Sequence, residues 1–173
     1  MTQLRRWLVW LSRIHRCRGF GIQSPTDYGF VRYVINEHWP YYSYYHGFPN
    51  DPWLRRKLGG LYFRLANWRQ PSCMPPDSYQ SYWQAGCRHV CFSTDIKVVE
   101  LALIQIDAMD AYERLLSKCD EHSVLVVGGI HRNWKRWHEM ERDKRCGTTF
   151  DLYYCGIMFF DIQRPKHNYI INF

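Results

Sequence analysis

Asp107 closes the apolar run Leu101–Ile106, Asp95 follows the run His89–Ser93, and Gly128-Gly129-Ile130-His131 follows Val124–Val127. If each run is a strand of an open parallel sheet, these residues stand at the carboxyl ends of strands, where such sheets bind ligands. An acid there can hold a ribose hydroxyl. Glycines let backbone or ligand approach closely, and His131 can serve as base or ligand. Each has a structural role to set beside that: Asp107 as cap of a helix starting at Ala108, Asp95 as a solvated loop acid, His131 as a hydrogen-bonded framework residue. Cys87, His89 and Cys91 share one face of a strand and invite a metal. No second Cys/His pair at ligand spacing completes a tetrahedral set, so no metal site is expected. Seven cysteines without a C-x-x-C read as reduced thiols packed as small hydrophobes.

A nucleotide-type cofactor on such a sheet needs a glycine-rich turn after the first strand, because only glycine lets the backbone approach the ligand. The place for that turn lies after Pro71 and reads Ser72-Cys73-Met74-Pro75-Pro76-Asp77-Ser78. The chain has no G-x-G-x-x-G, no G-x-x-x-x-G-K-[ST] and no G-x-S-x-G.

The elements that must carry these residues fall into two parts. In 1–70, Leu4, Trp7, Leu8, Leu11 and Ile14 recur at helical spacing as a buried stripe, with Arg5, Arg6, Arg13 and Arg16 on the solvated arc, and Gly19 and Gly21 end that helix. Ser24-Pro25 and Asp51-Pro52 each give a cap followed by a first-turn proline. The helix after Ser24 buries Phe30, Val31, Val34 and Ile35. The one after Asp51 buries Leu54, Leu58, Leu61, Leu65 and Trp68, with Gly59-Gly60 weakening it by about 1 kcal/mol per glycine. Trp39–Asn50 reads as a loop. In 71–173, short apolar runs alternate with helical patterns at Ala108–Cys119 and Asn133–Arg142. Thr148–Tyr154, Gly156–Asp161 and His167–Phe173 predict strands paired antiparallel at the sheet's end.

The 173 residues leave room for one domain of ordinary size, and 17% aromatics exclude a disordered chain. No apolar run is long enough to span a bilayer, and Trp7–Leu11 is too short for a signal peptide, so the chain reads as unexported and cytoplasmic. The net charge of +7 is uneven: 1–70 holds 11 Lys/Arg against 3 Asp/Glu, and 71–173 holds 12 against 13.

Arg18-Gly19-Phe20-Gly21-Ile22-Gln23-Ser24-Pro25, then Phe30-Val31, Val34-Ile35-Asn36 and Pro40-Tyr41-Tyr42, resemble the helical extension of a bacterial group of class I S-adenosylmethionine-dependent methyltransferases. Leu61–Asn67 resembles the helix leading into their first strand. Leu103–Asp107 resembles the fourth strand with its terminal acid, and Val124–His131 the fifth with the turn after it. Asp151-Leu152-Tyr153, Gly156–Phe160 and Lys166–Tyr169 resemble the last strands. The resemblance implies an α/β fold: a Rossmann-like, mostly parallel sheet with antiparallel C-terminal strands at 71–173, preceded by a basic helical extension at 1–70 packed on it. The departures fall on the functional positions. The glycine loop is absent, the paired acids after the fifth strand are Gly128 and Gly129, and only about 35 residues separate the Leu61 helix from the Leu101 strand, too few for three strand–helix units.

The expected function is therefore that of a degenerate, non-catalytic methyltransferase-like protein with a binding or structural role and no cofactor. Two alternatives stand beside it. One is an active methyltransferase holding S-adenosylmethionine through Asp95, Asp107 and a rebuilt loop around Pro75–Ser78, with His131 as the catalytic candidate. The other is a basic module docking on nucleic acid or an anionic membrane surface. Weak, sequence-tolerant polyanion binding through Arg5, Arg6, Arg13 and Arg16, and a protein partner or a second copy, complete the expected partners.

Overall fold

The computed structural model describes residues 3–37 and 48–173. Most of the loop expected at Trp39–Asn50, the Pro40-Tyr41-Tyr42 motif and the Arg5 side chain lie outside the described residues.

Five strands form one mixed sheet in the order β3-β4-β6-β5-β7: β3 (Leu101–Gln105), β4 (Val124–Gly128), β5 (Thr149–Asp151), β6 (Cys155–Phe159) and β7 (Asn168–Ile170). β3 and β4 are parallel, β6 is antiparallel to both β4 and β5, and β7 is parallel to β5. The expectation that all three closing strands pair antiparallel is thus corrected at β7. β6 already has both edges occupied by β4 and β5, so the last strand cannot pair with it and adds instead to the free edge of β5.

A separate two-stranded parallel sheet joins β1 (Cys73–Met74) to β2 (Cys91–Phe92) around the short helix α4 (Gln80–Gly86). Strand alternation sends side chains to opposite faces. Leu101, Leu103, Val124, Val126, Phe150 and Ile157 thereby join one apolar cluster, while Ala102, Ile104, Leu125, Val127 and Met158 join the other. The second face is covered by α5 (Met109–Leu116) and α6 (Trp134–Arg142), the latter capped by Asn133, whose Oδ1 accepts from the Arg136 N–H at 3.0 Å.

The first face is covered by elements from the opening third of the chain. Ser24 caps α2 (Pro25–Phe30), accepting from the Asp27 N–H at 3.3 Å, and the chain continues as a wider π-helical turn over Val31–Ile35. Phe30, Val31, Val34 and Ile35 are buried there, beside Leu58, Leu61 and Leu65 of α3 (Trp53–Arg69), in the same cluster as the sheet residues. The Arg64 guanidinium ties the two helices by donating to the carbonyls of Val34 (2.6 Å) and Ile35 (2.9 Å). Asp51 does not cap α3 as its spacing predicts. Its carboxylate instead accepts from Tyr82 Oη at 2.6 Å and Arg55 Nε at 3.1 Å, and Pro52 stands at the helix boundary.

The first helix differs most from expectation. α1 (Gln3–Ser12) ends earlier than the glycines suggest, giving way to a kinked 3₁₀ stretch at Ile14–Gly19. The stripe predicted to be buried faces solvent: Leu4 is 70% exposed, Trp7 58%, Leu8 57% and Leu11 52%. The helix is held by its arginine side. Arg6 stacks on Trp53 and Arg13 reaches the end of β5, so these two side chains are not on a uniformly solvated arc.

Gly59, which a propensity argument marks as a weakness of α3, is required by packing. A Cβ there would run into the ring of Tyr82 on α4, and a Cβ on Gly86 would run into the Phe63 carbonyl. The two helices approach through glycine from both sides. Gly59→Ala is therefore expected to destabilise the protein by about 1–3 kcal/mol despite the better helix propensity of alanine. Urea unfolding monitored by circular dichroism checks this, and a neutral or stabilising result would contradict the close approach.

Candidate functional site

The carboxyl ends of β3, β4, β5 and β7 form one edge of the main sheet, since these four strands run in the same direction. At β3 the chain presents Gln105 and Asp107, two residues apart and both exposed. At β4 it presents Gly128 and Gly129, the latter at φ +76°, where glycine is favoured. The turn Ile130–Arg132 follows and lifts Arg132 back over these groups. Arg132 Nη2 lies 3.3 Å from Asp107 Oδ2 and donates to Gln105 Oε1 at 3.2 Å. A side chain at Gly129 would meet the Arg132 guanidinium, and one at Gly128 would meet the Gln105 amide at 2.8 Å. Gly128-Gly129 is thus a floor already covered by Arg132 and Gln105. Asp107 does not cap the following helix: Ala108 occupies the boundary position and no side chain caps it.

Asp95 stands elsewhere, exposed in the loop after β2, its own N–H donating to Ser93 Oγ at 3.1 Å. The strands that precede Asp95 and Asp107 belong to different sheets. In the slot after β1, Asp77 spends both carboxylate oxygens locally. Oδ1 accepts from the Tyr79 N–H at 2.6 Å and Oδ2 from the Trp83 indole N–H at 2.8 Å. Burial raises the Asp77 pKa above the ordinary value, and those two hydrogen bonds partly oppose the shift.

His131 is half-buried among rings. It stacks on Tyr153 with centroids 5.4 Å apart and planes 14° from parallel, and meets Tyr154 edge-on at 5.5 Å. Tyr153 itself sits at φ +69°, a left-handed conformation that costs about 1–2 kcal/mol for a residue with a Cβ. Asp151 holds it there, accepting from the Tyr153 N–H through Oδ1 at 2.7 Å. The same carboxylate takes a two-pronged hydrogen bond from Arg13, Nη1 to Oδ1 at 2.9 Å and Nη2 to Oδ2 at 3.0 Å. The Arg13 and Asp151 side chains are only 12% and 5% exposed. Next to them, Asn172 donates from Nδ2 to the Trp10 carbonyl at 3.2 Å and from its backbone N–H to the Arg16 carbonyl at 3.1 Å. The end of α1 and the 3₁₀ stretch thus sit on the edge where β5 and β7 finish.

The cysteines fall apart as a ligand set. Cys87 is buried with its Sγ donating to the Pro71 carbonyl at 3.5 Å and 3.4 Å from His89 Nε2, while Cys91 lies across from Cys73 in the β1–β2 pair. Burial raises the Cys87 thiol pKa, and the Cys73 thiol is raised chiefly by its hydrogen bond with Cys91. Among the described residues no group of three or more His, Cys, Asp or Glu could hold a metal ion.

Of the sequence candidates, Asp107 and His131 therefore stand on one edge, and Asp95 stands apart. The polar groups that organise that edge were missed: Arg13, Gln105, Arg132 and Asp151. Arg132 carried a signal, since it immediately follows the glycine turn, and Gln105 shares a strand face with Asp107. Arg13 and Asp151 are 138 residues apart and carried none.

Removing the Arg13 guanidinium leaves the Asp151 charge buried with one backbone donor. Arg13→Gln should lower the unfolding free energy by about 3–5 kcal/mol and free α1 for tryptic cleavage at Arg16 and Arg18. Denaturant unfolding and limited proteolysis check both, and an unchanged digestion pattern would show that α1 is held by other contacts. No family model matches this chain, and neither a curated protein nor a solved structure matches it significantly.

Proposed function

We propose that this chain is a class I methyltransferase-like protein whose cofactor pocket has been dismantled and whose present role is binding or structural. The observation that carries the reading is the Arg132 side chain, which covers Gly129 and engages Asp107, the one acid that matches the family pattern. The sheet supports the ancestry. β3 and β4 are parallel, and a reversed β6 is inserted between β4 and β5, the antiparallel closing feature that the resemblance implies. The cofactor half is the part cut down, since β1 and β2 have two residues each and stand as a sheet of their own.

The residues present do not fit S-adenosylmethionine. A sulfonium cofactor with an adenosine body calls for free acids and an open backbone loop at the strand ends. Here Asp107 faces a guanidinium, and Gly128-Gly129 is roofed by side chains. The slot after β1 holds two prolines, which have no N–H to donate, and an aspartate tied to its own turn.

Calorimetric titration with S-adenosylmethionine and its demethylated product is expected to show no binding, for the unaltered chain and for Arg132→Ala alike. A ligand at 100 times its dissociation constant stabilises by about 2.7 kcal/mol, so thermal unfolding gives a second readout, expected to be flat. A micromolar constant for the unaltered chain would overturn the reading and restore the enzyme. Binding gained only in Arg132→Ala would place the loss of the pocket in that single side chain.

A further inference from the structure

α1 is an amphipathic helix mounted the wrong way round for a globular protein. At 3.6 residues per turn, Arg6, Val9 and Arg13 lie on one side, and Leu4, Leu8 and Leu11 lie on roughly the opposite one. The arginine side is the docked side: Arg6 lies 4.2 Å above the Trp53 ring, and Arg13 is fixed to Asp151. The leucine side is more than half exposed at every position, joined by Trp7 and by Ile14 just beyond the helix.

Behind the helix is a cavity of about 440 Å³ between α1, α3 and the sheet edge, walled by Trp7, Trp10, Trp53 and Phe173. Arg6 and Lys57 line it, and among the described residues no acidic side chain does. Arg6 Nε is buried there with no hydrogen-bond partner among the described residues. Burial lowers the Lys57 pKa, with the Arg64 charge adding to the effect, so an anion brought to this cavity would relieve both cations.

We propose that α1 lies on an anionic bilayer surface, its Leu4–Leu8–Leu11 face in the headgroup–acyl boundary, with an acidic headgroup entering the Arg6–Lys57 cavity past Trp7, which both lines that cavity and borders the exposed face. Charge selects this occupant. Residues 3–20 hold five arginines and no acid, so a second copy of the chain would bring like charge against like. Nucleic acid would answer the charge but would leave the leucines unused. An acidic lipid surface answers both, and tryptophans beside the apolar face suit its boundary. Among the described residues no helix is long and apolar enough to cross a membrane, so the attachment is to one leaflet. The inference does not depend on the methyltransferase reading.

Co-sedimentation of the full chain with phosphatidylcholine vesicles, with and without phosphatidylglycerol, tests it. Binding should be about tenfold or more stronger to the anionic vesicles and should fall with salt. Leu8→Glu with Leu11→Glu should abolish it while leaving the thermal midpoint unchanged, because these side chains are mostly in water already. Arg6→Gln with Lys57→Gln should weaken the preference for the anionic lipid. On anionic vesicles the tryptophan emission should shift to the blue, and the shift should be reduced in Trp7→Phe. That readout needs no charged substitution, so it decides the matter even if the glutamate variant does not fold. No binding to anionic vesicles at low salt, or binding that survives in a folded double-glutamate variant, would overturn the proposal. So would a lipid-free dimer that the same variant dissociates, which would assign the face to self-association.

Discussion

Asp151 ends β5 with a carboxylate that is almost wholly out of water, and a buried charge persists only where it is paired and hydrogen-bonded. Here the pairing comes from Arg13, and the remaining capacity is met by the Tyr153 N–H. The backbone of the same residue continues the ladder, its carbonyl accepting from the Ile171 N–H at 2.9 Å. One residue thus fixes the end of a central strand, the seat of α1, and a left-handed turn that places the Tyr153 ring. The consequence reaches the neighbouring strand. The Tyr153 ring is the surface on which His131 stacks, and the Tyr154 carbonyl accepts from the Gly129 N–H at 2.7 Å. The glycine turn after β4 is therefore shaped from the β5–β6 corner as much as by its own sequence. Arg13 adds a second cover, its guanidinium 5.2 Å from the Tyr153 centroid and 5.9 Å from that of Trp134.

The strand ends that would face a ligand are met by guanidinium groups, Arg132 over β3 and β4 and Arg13 over β5. The Arg132–Asp107 contact is half exposed and, like most exposed ion pairs, contributes little stability. Its importance is positional, since it occupies the space that an acid and two glycines would otherwise leave free. The buried Arg13–Asp151 pair is the structural one. The two arginines therefore differ in role, and only Arg132 can be removed without cost to the fold.

The parts of the fold that local chemistry dictates were legible in the sequence. Ser24-Pro25 set a helix start, and the apolar runs at Leu101 and Val124 became β3 and β4, their side chains alternating between two cores. What was not legible depends on partners far away in the chain. The parallel placement of β7 beside β5 is a property of the assembled sheet. Gly59 reads as a defect in a helix until Tyr82 is seen lying against it. Asp51 reads as a cap until the Tyr82 hydroxyl and Arg55 are seen to claim its carboxylate. At the site, Asp107 was legible because it ends a strand, whereas its contact with Arg132 required the turn geometry at Gly129.

The inverted mounting of α1 shows why an apolar stripe alone does not decide which side of a helix is buried. Burial of a leucine side chain is worth about 1.5–3 kcal/mol, but only where an apolar surface exists to receive it. The edge that α1 meets offers the buried Asp151 carboxylate and the Asn172 side chain, and a leucine face set against them would leave those groups unpaired. An uncompensated buried charge costs about 3–5 kcal/mol, and each lost hydrogen bond to a buried group about 1–3 kcal/mol more. Turning the helix inward would thus forfeit the polar contacts for an apolar gain limited to the Trp53 and Phe173 walls of the neighbouring cavity. The arginine side docks because it alone matches the edge. The leucines face outward as a consequence of that match, which leaves them available to whatever apolar boundary the protein meets.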